Sequence, residues 1–153
     1  MHLEIIDGET RIDDVKALFA EYAASLGIDL GYQNFGDEFA GLPGKYANPS
    51  GRLYLALVDG APAGCVAMRK LDEARAEMKR LYVRAGFRGA KVGLALTERI
   101  IADAREIGFQ ALVLDTLSTM HRAQALYRSL GFVEIEPYYS SPIPGTTYLS
   151  LSL

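Results

Sequence analysis

Between residues 52 and 107 the spacing of apolar residues changes period once, and this change restricts the possible folds more than any other feature. Arg52–Val58, Pro62–Lys70 and Ala76–Val83 are three strand-like runs. The tight turn Asp59-Gly60 joins the first two as a hairpin, and a polar turn at Asp72-Glu73 leads into the third. After the Gly- and Arg-rich stretch Arg84–Gly89, the period becomes helical. Val92, Leu96, Ile100, Ala104 and Ile107 mark a long helix that Gly108 stops. A short apolar run of the buried-strand type, Ala111–Asp115, follows it.

The flanks extend this pattern. Leu3–Ile6 reads as a first strand. Ile12, Val15, Leu18, Phe19, Tyr22, Ala23 and Leu26 mark an amphipathic helix stopped at Gly27. Residues 28–50 form a long, aromatic-rich connection with one short helix expected around Asp37–Leu42. Connections of this length are often functional, here as a lid or a substrate wall. Ala123, Leu126, Tyr127 and Leu130 mark another helix, closed by Gly131, with Ser118 and Thr119 as N-cap candidates. Val133–Ile135 and Thr147–Leu153 are the last strands, separated by the loop Pro137–Gly145. The order is βα, three antiparallel-looking strands, βαβα and two more strands. It predicts an α/β sheet of mixed direction, with residues 1–153 as one domain.

Composition removes several function classes. With 153 residues, 50% hydrophobic and 23% charged, the chain has a globular balance. No apolar run approaches the about 20 residues that span a bilayer, and Met1-His2-Leu3-Glu4 lacks the basic start of a signal peptide. A single cysteine, Cys65, excludes an internal disulfide and a cysteine-built zinc site. A reducing cytoplasm is the expected location. A net charge of -3 argues against nucleic acid as the partner. Yet eight of the 16 Lys and Arg residues fall between Arg69 and Lys91, against three acids. That window reads either as solvated strand edges or as a site for a small, strongly anionic ligand.

The most informative segment runs from Glu77 through Leu81-Tyr82-Val83 to Arg88-Gly89-Ala90-Lys91-Val92-Gly93-Leu94 at the start of the long helix. The first turn of a helix has N–H groups without intrahelical partners and carries the positive end of the macrodipole. Gly89 allows close backbone approach, Gly93 removes a side chain, and Arg88 and Lys91 add charge. A pyrophosphate suits such a turn. The Gly-x-Gly-x-x-Gly and Gly-x4-Gly-Lys-Ser/Thr patterns of dinucleotide and triphosphate sites are absent.

This segment resembles the acetyl-CoA-binding motif of the GNAT superfamily of N-acetyltransferases, Gln/Arg-x-x-Gly-x-Gly/Ala. Arg88 and Gly93 match its first and last positions, and Lys91 stands where glycine is usual. Leu81-Tyr82-Val83 is similar to the family's fourth strand. Ala123-x-x-Leu126-Tyr127-x-x-x-Gly131-Phe132 is similar to its C-terminal helix-to-strand signature, with Met120 where Asn is common. The two motifs lie 35–40 residues apart, in the family's order.

The resemblance implies a mixed, mostly antiparallel twisted sheet of about seven strands flanked by about four helices, with strands 4 and 5 splayed around acetyl-CoA. It implies that N–H groups from Gly89 to Leu94, Ala90 and Val92 among them, meet the pyrophosphate. The pantetheine arm would pair with the backbone at Leu81 and Val83, beside Tyr82. A bulge in that strand and an oxyanion-polarising N–H around Val83 are further implications.

Tyr127 would be the general acid toward the leaving thiolate, although its place on an apolar stripe also suits a core residue. Glu77, eleven residues before Arg88, would be the base, directly or through water; its other reading is an ion pair with Lys79 or Arg80. His121 and Cys65 read as a helix-start residue and a small core residue. Tyr32, Phe35, Tyr138 and Tyr139 either shape the acceptor pocket or cover the sheet. The expected activity is acetyl transfer to a primary amine of a small molecule or amino-acid-like acceptor. No metal is needed. A protein lysine or N-terminal acceptor and a non-catalytic acyl-CoA-binding module stay open. Family members are often dimers, so a homodimer is a further expectation, with the alternating final strand either at its interface or half-buried in the sheet.

Overall fold

A computed structural model describes residues 1–153. The elements are β1 (Leu3–Asp7), α1 (Ile12–Leu26), α2 (Phe35–Ala40), β2 (Arg52–Val58), β3 (Ala61–Lys70), β4 (Arg75–Val83), α3 (Val92–Ile107), β5 (Ala111–Thr116), α4 (His121–Ser129), β6 (Val133–Ile135) and β7 (Thr147–Ser152). Seven strands form one sheet in the order β1-β2-β3-β4-β5-β7-β6. All neighbours are antiparallel except β4 and β5, which run parallel. The crossover through α3 produces that parallel pair, because a helix returns the chain to the end where it started. The mixed sheet and four helices read from the sequence are therefore present.

Period-two patterning in the central strands divides their side chains between two cores. Tyr54, Ala56 and Val58 join a cluster of 19 buried residues with Val92, Leu96, Ile100 and Ala104 of α3. Leu53, Leu55 and Leu57 face the other way, into a cluster of nine with Val15, Leu18 and Phe19 of α1. Each fully buried aliphatic side chain contributes about 1.5–3 kcal/mol, so both faces of the sheet are held. Cys65 is fully buried in the smaller cluster, the core role expected of it. No helix is long and apolar enough to cross a membrane.

Some local expectations need correction. Residues 28–50 are largely built: 3-10 turns at Leu30–Gln33 and Gly44–Tyr46 flank α2, Phe35 stacks on Phe19 and Tyr46 is buried. The aromatic residues that suggested a lid tie this segment to α1. Helix α4 is capped by neither Ser118 nor Thr119. Met120 is its N-cap, without a side-chain cap bond, and the Gln124 side chain instead donates to the Leu117 carbonyl at 2.7 Å. Strand β7 lies between β5 and β6, so both of its edges are paired within the sheet.

Strands β4 and β5 part company early. Their pairing covers Arg75–Ala111, Ala76–Leu112 and Glu77–Val113 and then ends, while β4 runs on to Val83 and β5 to Thr116. A bulge in β4 accompanies the separation. Lys79 opposes Ala67 and Tyr82 opposes Cys65, so Arg80 and Leu81 both stand against Val66. Arg80 takes the left-handed φ of 62° that the extra residue requires. Gly64 allows the close approach on the β3 side, where an added Cβ would come within 2.7 Å of the Tyr82 carbonyl oxygen.

Candidate active site

The parted strands open onto a cavity of about 630 Å³. Its walls are Leu81–Val83 of β4, the turn from Phe87 into α3, the end of α1 at Tyr22 and Leu26, and the start of α4 from Met120 to Leu126. Leu81, Tyr82, Val83, Arg88, Gly89, Lys91, Val92 and Gly93, all singled out in the sequence, line it. Ala90 and Leu94 do not. From Met78 onward β4 has no partner strand on its β5 side, so its backbone edge is free there.

The turn before α3 has the composition of an anion site. The N–H groups of Gly89, Lys91, Val92, Gly93 and Leu94 donate to no protein group, whereas the Ala90 N–H is already bonded to the Phe87 carbonyl at 3.2 Å. The Ala90 amide therefore drops out of the expected cradle. Lys91 is the N-cap of α3 with φ 61° and no side-chain cap bond. A left-handed residue here explains why glycine is usual at this position. The exposed lysine adopts the conformation and adds its charge at the rim.

At the apex of the separation lies a pocket of about 20 Å³, room for one water. Lys79, Arg80, Asp115 and Tyr127 line it, and it shares Tyr22, Leu81 and Met120 with the larger cavity. Tyr127 is 4% exposed, and its ring packs on Phe132 at 5.7 Å between centroids. Its hydroxyl has no protein partner, yet it is not sealed among the orphaned buried atoms. Burial raises its pKa, so the phenol stays protonated across the neutral range. Tyr127 is thus a core residue whose protonated hydroxyl is left without a protein partner at the apex pocket.

The charges of residues 69–91 are mostly neutralised in pairs. Arg69 donates to Glu77 at 2.8 Å, Lys70 to Glu73 at 2.7 Å and Arg84 to Glu21 at 2.7 Å. Arg75 pairs with Asp72 at 2.8 Å. Arg80 donates twice to Glu38, at 2.8 and 3.0 Å, and once to Gln33 at 2.7 Å. Arg88, Lys91 and Lys79 remain without a carboxylate partner. The first two stand at the turn and the third at the apex.

Glu77 is 2% exposed and lines neither pocket. One of its oxygens accepts from Arg69 and the other from the Tyr138 hydroxyl at 2.6 Å. Its partner is therefore Arg69, not Lys79 or Arg80. Asp115, by contrast, lines the apex and has one oxygen bonded to the Tyr139 hydroxyl and one free. Burial raises its pKa, and the nearby charge of Glu77 adds to the rise. Asp115 was missed in the sequence, although a carboxylate closing the apolar run Ala-Leu-Val-Leu is an available signal. Arg80, Lys79 and the pairing of Tyr138 and Tyr139 with the two carboxylates were missed as well. His121 lines the rim of the cavity.

The model of the Acetyltransferase (GNAT) family matches residues 15–132. The chain belongs to this family. An uncharacterized N-acetyltransferase of Schizosaccharomyces pombe is 42% identical over 144 residues, covering 93% of this chain and 88% of that protein. One from Dictyostelium discoideum is 35% identical, covering 100% of both. The N-acetylaspartate synthetase of Danio rerio is 30% identical over 132 residues, covering 84% of this chain but 47% of that protein. A GNAT-family acetyltransferase structure from Staphylococcus aureus superposes with a TM-score of 0.82 over 99% of both chains at 20% identity. One from Elizabethkingia anophelis with acetyl-CoA bound gives 0.58 at 24% identity, over 68% of this chain and 77% of the other. The GNAT protein described here is an acetyl-CoA-dependent N-acetyltransferase.

Proposed function

We propose that this enzyme moves the acetyl group of acetyl-CoA to the primary amine of a small molecule. One juxtaposition carries the reading. The unpartnered Tyr127 hydroxyl stands where β4 and β5 part, with a turn of bare amides on one side and the carboxylates of buried Glu77 and half-buried Asp115 on the other. Acetyl-CoA supplies an activated thioester. The free N–H groups of Gly89 and Lys91–Leu94 suit its diphosphate, and Arg88 and Lys91 add charge. Residues Leu81–Val83 offer an unpaired strand edge to its pantetheine arm. An N–H near Val83 polarises the thioester carbonyl, an effect worth about 3–4 kcal/mol in other acyl transfers.

Asp115 receives the proton that the ammonium must lose before its nitrogen attacks. Glu77 acts on that base rather than as one: its charge helps to keep the Asp115 carboxyl basic, and it anchors Tyr138. As nitrogen bonds to the acetyl carbon and the carbon–sulfur bond breaks, Tyr127 gives its proton to the thiolate. It regains one from the acylated nitrogen. The products are the amide, free CoA and one proton released to solvent.

A small acceptor fits the clasp over the amine side. Gln33 donates to the Tyr139 hydroxyl at 3.3 Å, so the 28–50 segment and the 137–145 loop meet there. A protein segment would need this contact broken. The N-acetylaspartate synthetase relative is likewise named for a small acetylated product.

The test mixes enzyme, acetyl-CoA and a panel of primary amines with a thiol reagent. Amine-dependent release of CoA is expected. Tyr127→Phe lowers kcat about 100-fold, with acetyl-CoA affinity and melting temperature retained. Saturable stabilisation by acetyl-CoA without turnover on any amine would instead support a non-catalytic binding module.

A further inference from the structure

The amine side of the cleft carries a cation without an ion-pair or hydrogen-bond partner in the chain. Lys79 and Glu77 stand opposite Ala67 and Arg69 on β3, so they share the face of the sheet that α1 and α2 cover. Lys45, Arg69 and Arg80 complete the cations of this region. Arg69 is paired with Glu77, Arg80 with Glu38, and Lys45 reaches Glu38 at 3.9 Å. Lys79 has no carboxylate within ion-pair distance and donates no hydrogen bond. It is half-buried at the apex pocket beside Tyr127. Burial and the charge of Arg80 press its pKa down to about 8. A cation held partly out of water without a hydrogen-bonded partner costs stability, and the charges of Glu77 and Glu38 offset only part of that cost.

Across the same pocket, on β5, Asp115 keeps one carboxylate oxygen free of protein contacts. Lys79 and Asp115 do not pair with each other, although they line one pocket from opposite strands. A positive and a negative group, both incompletely satisfied and lining one pocket at the inner end of the cleft, are the complement of an ammonium and a carboxylate on one molecule. A polyamine would answer Asp115 but meet Lys79, Arg80 and Lys45 with like charge. The side chain of a lysine in a peptide also brings no carboxylate to Lys79.

We propose that the acceptor is an amino acid or close analogue that enters from the larger cavity, its amine displacing the pocket water at Asp115 and its carboxylate reaching Lys79. The proposal rests on the acetyl-transfer reading above and narrows its acceptor. Lys79 is then the residue that sets acceptor specificity.

The experiment measures kcat/KM for a panel of amino acids and for their carboxamides, which retain the amine and lose the negative charge. Spermidine and an N-terminally blocked lysine peptide are included, and the wild type is compared with Lys79→Gln and Lys79→Arg. The expected preference of the wild type for acid over carboxamide is about tenfold or more, as for other hydrogen bonds to charged groups. Lys79→Gln brings that ratio toward one, and Lys79→Arg restores part of it. A ratio does not depend on the fraction of folded enzyme. Equal use of acid and carboxamide, an unchanged ratio in Lys79→Gln, or turnover of spermidine or the peptide but of no amino acid would overturn the proposal and leave acetyl transfer standing. If no amine of any class releases CoA, the acetyl-transfer reading fails and this inference fails with it.

Discussion

Replacing Glu38 by Gln tests how the cleft is held open. The side chains of Arg80 and Glu38 are 2% and 5% exposed, and Arg80 sits at the bulge with a left-handed φ. Two bonds to Glu38, at 2.8 and 3.0 Å, and the ring of Phe35 at 5.2 Å enclose the guanidinium. In Glu38→Gln the guanidinium retains Gln33 and at most one weakened bond to the new amide, but it loses its counter-charge. Breaking a buried pair by removing one partner costs about 3–5 kcal/mol, and the retained bond places this variant near about 3. For a chain of this size that is a fall of about 6–12 °C in Tm.

Burial alone would raise the Glu38 pKa, but the hydrogen bond and charge of Arg80 outweigh it and hold the carboxyl below its ordinary value of 4.5. A depressed pKa contributes stability above the unfolded value that is lost as pH falls through the folded one. The gap between wild type and variant should therefore be full at pH 7 and shrink below about pH 4.5. Urea unfolding at both pH values reads the gap. Stability within about 1 kcal/mol of wild type at pH 7, the range of an exposed pair, would refute the claim that this ion pair fastens α2 to the bulge.

Asp115→Asn should abolish the acid limb of the kcat/KM profile. Glu77→Gln should move that limb to lower pH, because removing a neighbouring negative charge lowers the Asp115 pKa; pH–rate profiles decide, and an unmoved limb in both variants contradicts the assignment. Arg88→Ala should weaken acetyl-CoA binding about fivefold at low salt, the scale of an exposed charge contact, with less effect on an analogue lacking the phosphates. Titration calorimetry with both ligands measures this, and equal weakening would remove Arg88 from the phosphate site. Gly64→Ala places a Cβ 2.7 Å from the Tyr82 carbonyl oxygen, an atom of the backbone that must shift. The cost should be about 1–3 kcal/mol in denaturant unfolding, and a neutral result would mean that the bulge tolerates displacement.

The periodicity of single segments determined much of this protein. Residue patterning located the seven strands and the three longer helices, the short α2 lies two residues before the expected Asp37–Leu42, and Gly27 and Gly108 end their helices with the left-handed φ that glycine accepts most readily. The turn of bare amides before α3 was also legible, because unpaired amides, glycines and basic residues at a helix start are neighbours in the chain. Local rules failed where an element end depended on tertiary contact: α4 begins without the side-chain cap that Ser118 and Thr119 advertised.

The amine side was decided by tertiary structure alone. Arg80 meets residues 42 and 47 positions away, and Glu77 meets Tyr138 across 61. In the sequence Glu77, Lys79 and Arg80 read as one basic strand with an acid at hand. Only the register of β3 against β4 sends Glu77 to Arg69, and only the bulge sends Arg80 to Glu38. Which cation remains unpaired depends on how all the others are matched. That is a property of the folded sheet, because ion pairs form through space between groups whose separation along the chain carries no information about their distance.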